Sequence, residues 1–96
     1  MKTLNEIRDS LAKRNSNLLK KYPIKTLAIF GSYSRNEQNE KSDLDILVEF
    51  DNKIGMGFFD LADELENFLH LKVDLVSKKG IKERYFQAIK SDLIYV

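Results

Sequence analysis

Leu4, Ile7, Leu11 and Leu18 recur at helical spacing, and Thr3 followed by Glu6 forms a capping-box pattern at their start. This predicts an amphipathic helix within residues 1–22 that ends on the basic pair Lys20-Lys21, before Pro23 stops it. Lys25-Thr26-Leu27-Ala28-Ile29-Phe30 then reads as a buried strand that runs straight into Gly31. A second strand, carrying both Asp43 and Asp45, is predicted by the apolar run Leu44, Ile46, Leu47 and Val48. Residues 51–57, with two glycines, read as a loop. After it, Phe58, Leu61, Ala62, Leu65, Phe68 and Leu69 mark a second amphipathic helix whose outer face carries Asp60, Asp63, Glu64 and Glu66. Residues 71–76 alternate as a third strand, Ile81, Tyr85, Ala88 and Ile89 outline a last helix, and Leu93-Ile94-Tyr95-Val96 is a short β-prone tail. The order of elements predicts an α+β fold with α/β-like character, a small mixed sheet flanked by helices.

Composition narrows the picture only a little. A chain of 96 residues with 43% hydrophobic side chains suits one domain with one modest core, so residues 1–96 are expected to form a single unit, 1–22 as a helix and 24–96 as the working core. A formal charge of +1 predicts no direct affinity for nucleic acid or for an anionic membrane. The absence of cysteine removes disulfides and thiolate metal sites. With no long apolar run and a polar start, the expected location is cytoplasmic.

The chemistry concentrates between Gly31 and Val48. Asp43 and Asp45 are two residues apart, so on a strand they leave the same face, with Leu44, Ile46 and Val48 on the other. At a strand rise of ~3.3 Å per residue their α-carbons lie about 6.6 Å apart. Carboxylates so placed could converge on two Mg²⁺ ions spaced about 4 Å apart, as phosphoryl-transfer sites require. Gly31 lets a triphosphate approach the backbone, and Ser32 offers a hydroxyl and an amide where a short helix could begin. Asp74, between Val73 and Leu75, is the natural third carboxylate: a metal ligand that could also take a proton from an attacking hydroxyl. Arg35 could neutralise phosphate charge or form a surface ion pair. Ser42 reads as a turn residue, Glu49 as a solvated strand end, His70 as a helix end, and Phe58, Phe59 and Phe68 as core and partner contacts.

Gly31-Ser32, a ten-residue interval, Asp43-Leu44-Asp45 and a later Asp74 on a strand together resemble the signature of the polymerase-β-type nucleotidyltransferases. The brevity of the chain is similar to the minimal nucleotidyltransferases, the MNT proteins, many of them antitoxins paired with a HEPN-domain ribonuclease. The resemblance implies a polymerase-β-like palm fold and Mg²⁺-dependent transfer of AMP from ATP to a hydroxyl, in HEPN-paired members a tyrosine of the toxin. It places Asp43, Asp45 and Asp74 as catalytic and metal-binding residues, and Gly31, Ser32 and Arg35 at the nucleotide. The family usually has glycine after Arg35, and here Asn36 stands there; asparagine tolerates the left-handed conformation, so the turn is expected to survive.

Two functional classes follow. One is an enzyme that adenylylates a HEPN toxin, and the other is an antitoxin that silences its partner by occlusion, without catalysis. Transfer to a small molecule is a further alternative, weakened by the absence of an added domain that would form an acceptor pocket.

Overall fold

The computed structural model describes residues 2–96. Helix α1 spans Leu4–Lys21, strand β1 Ile24–Phe30, strand β2 Leu44–Phe50, helix α2 Gly57–Leu69, strand β3 Val73–Ser77, helix α3 Glu83–Ile89 and the short strand β4 Ile94–Tyr95. The predicted capping box forms, with the Glu6 amide donating to Thr3 Oγ1 and the Thr3 amide donating to Glu6 Oε1, each at 3.2 Å. Two ends differ from the sequence reading. The third strand begins two residues later and ends one residue later, and the last helix opens at Glu83 because Ile81 is taken up in closing a preceding 3-10 turn.

The strands form one mixed sheet in the order β3-β2-β1-β4. Strand β1 is antiparallel to both β2 and β4, whereas β2 and β3 are parallel, with α2 lying between them in sequence. Three helices on a four-stranded mixed sheet are the α+β arrangement that the order of elements predicted. No helix among the described residues is long and apolar enough to cross a membrane.

Alternation along the strands divides the apolar residues between two faces. On one face Leu27, Ile29, Leu44, Ile46 and Val48 pack beneath Ile7, Leu11 and Leu18 of α1 and Leu61, Leu65 and Leu69 of α2. Lys21 and the Tyr22 hydroxyl both reach Glu64, fastening the end of α1 to α2. The other face carries a smaller cluster of Phe30, Leu47 and Ile89, with Val76, Ile81, Phe86 and Leu93 against it. Helix α3 and the segments flanking it therefore cover only part of this second face. The part left open is where the carboxylates stand.

Candidate active site

Cross-strand register decides what the site contains. Phe30 pairs with Asp45, and Asp45 pairs with Asp74, so these residues form one row across β1, β2 and β3 on the second face. Asp45 is half-buried and Asp74 exposed. The exposure answers the question raised by a carboxylate in an apolar strand: Asp74 is on the solvated face of β3. Asp43 is exposed and precedes β2 instead of lying in it. Gly31 turns β1 away after Phe30, and the Leu44 amide already bonds to the Lys72 carbonyl at 2.9 Å, so Asp43 has no ladder partner from β1.

Gly31 has φ +77°, a conformation that L side chains rarely adopt. A Cβ there would collide with Asp45 Oδ2, so the turn and the carboxylate occupy one cradle that only glycine leaves open. After it the chain makes successive turns in place of the short helix expected at Ser32. The Ser34 and Arg35 amides both donate to the Gly31 carbonyl, and the Glu37 amide donates to the Ser32 carbonyl at 2.8 Å. Asn36 at φ 59° prevents helical continuation, and it takes up the left-handed conformation for which asparagine was expected to suffice.

Three carboxylates at this end of the sheet crowd negative charge. The Asp45 carboxyl is pushed up to about 6, first by burial and then by the charges of Asp74 and Asp43, with Arg35 opposing. Arg35 itself forms ion pairs with Glu37 at 2.9 Å and with Asp92 at 2.7 Å, the latter joining the turn to the segment after α3. Of the alternatives for Arg35, the ion pair is the one present.

Among the described residues no three acidic or histidine side chains close on one point as a preformed metal cage would. The donor set nevertheless suits Mg²⁺, which is usually held by one or two carboxylates and completed by substrate phosphates and water. Asp45 and Asp74 in adjacent register are such a pair, and the bare Gly31 backbone packs directly against the Asp45 carboxylate.

The remaining residues fall outside this centre. Ser42 is a turn residue whose Oγ accepts from the Asn39 amide at 2.9 Å. Glu49 accepts a hydrogen bond from Thr26 and pairs with Lys78 at 3.7 Å, so it is tied down and not simply solvated. His70 ends α2 in a left-handed conformation. Phe58 and Phe68 pack on the core, while Phe59 is 59% exposed. Sequence reasoning missed Tyr33, Tyr85 and Asp92. Tyr33 is 1% exposed and joins the main core within the turn, and burial followed by the charge of Asp43 raises its pKa. Its place in an aromatic-in-polar run, Ser32-Tyr33-Ser34, was the available signal. Tyr85 of α3 packs edge-on against Phe30, with ring centroids 6.4 Å apart.

The arrangement is thus a turn ending one strand beside a carboxylate pair on the neighbouring strands. Residues 13–95 match the polymerase beta, nucleotidyltransferase family, and the chain belongs to that family. It is 54% identical over its whole length, and that of the relative, to MJ0128 of Methanocaldococcus jannaschii, named as a candidate protein adenylyltransferase. It is 36% identical to the protein adenylyltransferase MntA of Thermococcus cleftensis, covering 100% of this chain and 98% of that one. Among solved structures, a candidate minimal nucleotidyltransferase superposes with TM-score 0.82 at 29% identity, covering 97% of this chain and 95% of that one. A toxin–antitoxin structure with AMP-PNP gives TM-score 0.72 at 26% identity, over 86% of this chain and 69% of that one. The fold is shared, at TM-score 0.69 and 23% identity over 93% and 70% of the two chains, with a structure described as a tri-AMPylated Shewanella oneidensis HEPN toxin in complex with MNT antitoxin. The family is the one to which the motif spacing pointed, and relatives matched along all or nearly all of their length are named protein adenylyltransferases.

Proposed function

We propose that the chain is an Mg²⁺-dependent protein adenylyltransferase and antitoxin that transfers AMP from ATP to a tyrosine hydroxyl of a HEPN-domain ribonuclease. The observation that carries this reading is the row Asp45–Asp74 beside the Gly31 cradle, an anionic pair next to backbone a phosphate can approach. Relatives named protein adenylyltransferases support the reaction class, and the 26% identical toxin–antitoxin structure with AMP-PNP supports nucleotide and partner.

In this reading Gly31 and Ser32 seat the triphosphate, the glycine by leaving room and the serine by donating its hydroxyl and amide. Arg35, when released from Asp92, adds positive charge at the phosphates. Asp45 and Asp74, with Asp43 beside them, would hold Mg²⁺ together with the substrate phosphates, and the ion would supply screening of phosphate charge and stabilisation of the leaving diphosphate. Asp74, exposed at the outer edge of the row, takes the proton from the incoming tyrosine hydroxyl, which attacks the α-phosphorus in line as diphosphate departs. The added AMP places negative charge and bulk near the ribonuclease's RNA-binding cleft, opposing the backbone of its substrate.

The test is to incubate the HEPN partner with ATP, Mg²⁺ and this protein, remove the protein under mild denaturation, refold the partner, and measure its mass and ribonuclease activity. Lasting inhibition with added AMP, absent with the Asp43→Asn and Asp45→Asn double variant, is the expected result. Full recovery of a partner with no added mass would replace transfer by occlusion.

A further inference from the structure

Tyr85 stands where the covered part of the second sheet face meets its open part. Helix α3 lays Phe86 and Ile89 onto the cluster with Phe30 and Leu47, and Tyr85, the residue before Phe86, packs edge-on against Phe30. Phe30 is the cross-strand partner of Asp45, and Asp45 that of Asp74. Tyr85 therefore packs on the aromatic member of the row that continues through Asp45 to Asp74. The residue is 46% exposed. Burial raises its pKa first, and the charges of Asp45 and then Asp74 add to the effect.

The chain has four tyrosines, and the others are placed differently. The Tyr22 hydroxyl donates to Glu64 at 2.9 Å, away from the row. Tyr33 is buried in the main core. Tyr95 lies on β4 opposite Ala28, one strand beyond Phe30 on the side away from Asp45. Only Tyr85 combines exposure with adjacency to the carboxylates.

We propose that Tyr85 is an internal acceptor, so that in the absence of a partner the protein adenylylates its own Tyr85 hydroxyl. This rests on the adenylyl-transfer reading above, since it uses the same nucleotide and the same class of acceptor. Tyr85 Oη forms a bond to the α-phosphorus of ATP, and the bond from that phosphorus to the oxygen bridging to the β-phosphate breaks. Diphosphate leaves with the electron pair, and the phenolic proton passes to the Asp74 carboxylate. The product is a phosphodiester between Tyr85 and AMP at the open end of the face, where it obstructs the next nucleotide. Labelling is thus self-limiting at one AMP per chain.

The experiment uses the full chain with ATP and Mg²⁺, read by intact mass and peptide mapping, alongside calorimetry with an ATP analogue whose α- and β-phosphorus are joined by a methylene group. The expected result is gain of one AMP on Tyr85, with a rate constant unchanged on protein dilution, as for an acceptor on the same chain. Tyr85→Phe keeps the ring on Phe30, so it should bind the analogue as the wild type does yet gain no mass, whereas Tyr95→Phe should still be labelled. If the analogue binds but no AMP is gained, or it appears on another residue, or the rate constant falls with dilution, the internal acceptor is wrong while the nucleotide site stands. If the analogue does not bind in the presence of Mg²⁺, the adenylyl-transfer reading falls and this proposal with it.

Discussion

Replacing Asp45 by asparagine should make the protein more stable at neutral pH. The Asp45 carboxyl moves from an ordinary 3.8 to about 6 in the folded protein, so the fold favours its protonated form. Between those values the folded state holds a proton that the unfolded state has released, and wild-type stability falls as pH rises through that window. Above it the full penalty of an ionised, half-buried carboxylate beside Asp74 and Asp43 persists. A displacement of about two pKa units is worth about 3 kcal/mol at ~1.4 kcal/mol per unit. The side chain is partly solvated, so screening reduces this to about 1–2 kcal/mol. The asparagine side chain would imitate the protonated acid in shape and carry no charge. Thermal unfolding of wild type and Asp45→Asn, with a chelator present to remove divalent cations, should show the variant roughly 5–15 °C more stable at about pH 8. The gap should narrow as pH falls through about 6 towards about 4 and vanish below about 3.8, where Asp45 is protonated in both states. Adding Mg²⁺ should raise the melting temperature of the wild type more than that of the variant, because binding to the folded state alone stabilises it. A variant no more stable than wild type at pH 8, or a gap that does not change with pH, would refute the charge-crowding argument.

The remaining predictions probe the turn, the buried tyrosine and the outer carboxylate. Gly31→Ala puts a Cβ into the Asp45 carboxylate at a positive φ, so it should cost about 1–3 kcal/mol by strain and reduce nucleotide affinity, measured by chemical denaturation and calorimetry. Unchanged affinity would remove the cradle from the nucleotide site. Tyr33→Ala empties a core position beneath the same turn and should cost about 3–5 kcal/mol, read from the denaturation midpoint. Asp74→Asn should lower the transfer rate more than it lowers affinity for Mg²⁺-ATP, since proton removal is felt at the chemical step. An equal loss of both would leave Asp74 a ligand only.

Much of this was legible along the chain because the signals are local. The capping box at Thr3 and Glu6, the apolar spacing of α1 and α2, and the alternation around Asp45 each depend on a few neighbouring residues and on one backbone period. The left-handed turn at Asn36 followed from the glycine that the resembled family has there, together with asparagine's tolerance of that conformation. What the tertiary structure decided is register. No periodicity could tell that Asp45 stands opposite both Phe30 and Asp74, that Asp43 falls before the strand because β1 has already turned away, or that Arg35 meets Asp92 from the far end of the chain. Tyr85 shows the difference most plainly: its sequence position marks a helix face, whereas its place beside the carboxylates depends on how α3 packs over Phe30. Side-chain pattern selects elements within one stretch, but the hydrogen-bond ladder and core packing that join distant stretches set which residues meet, and a site assembled from several strands exists only after they do.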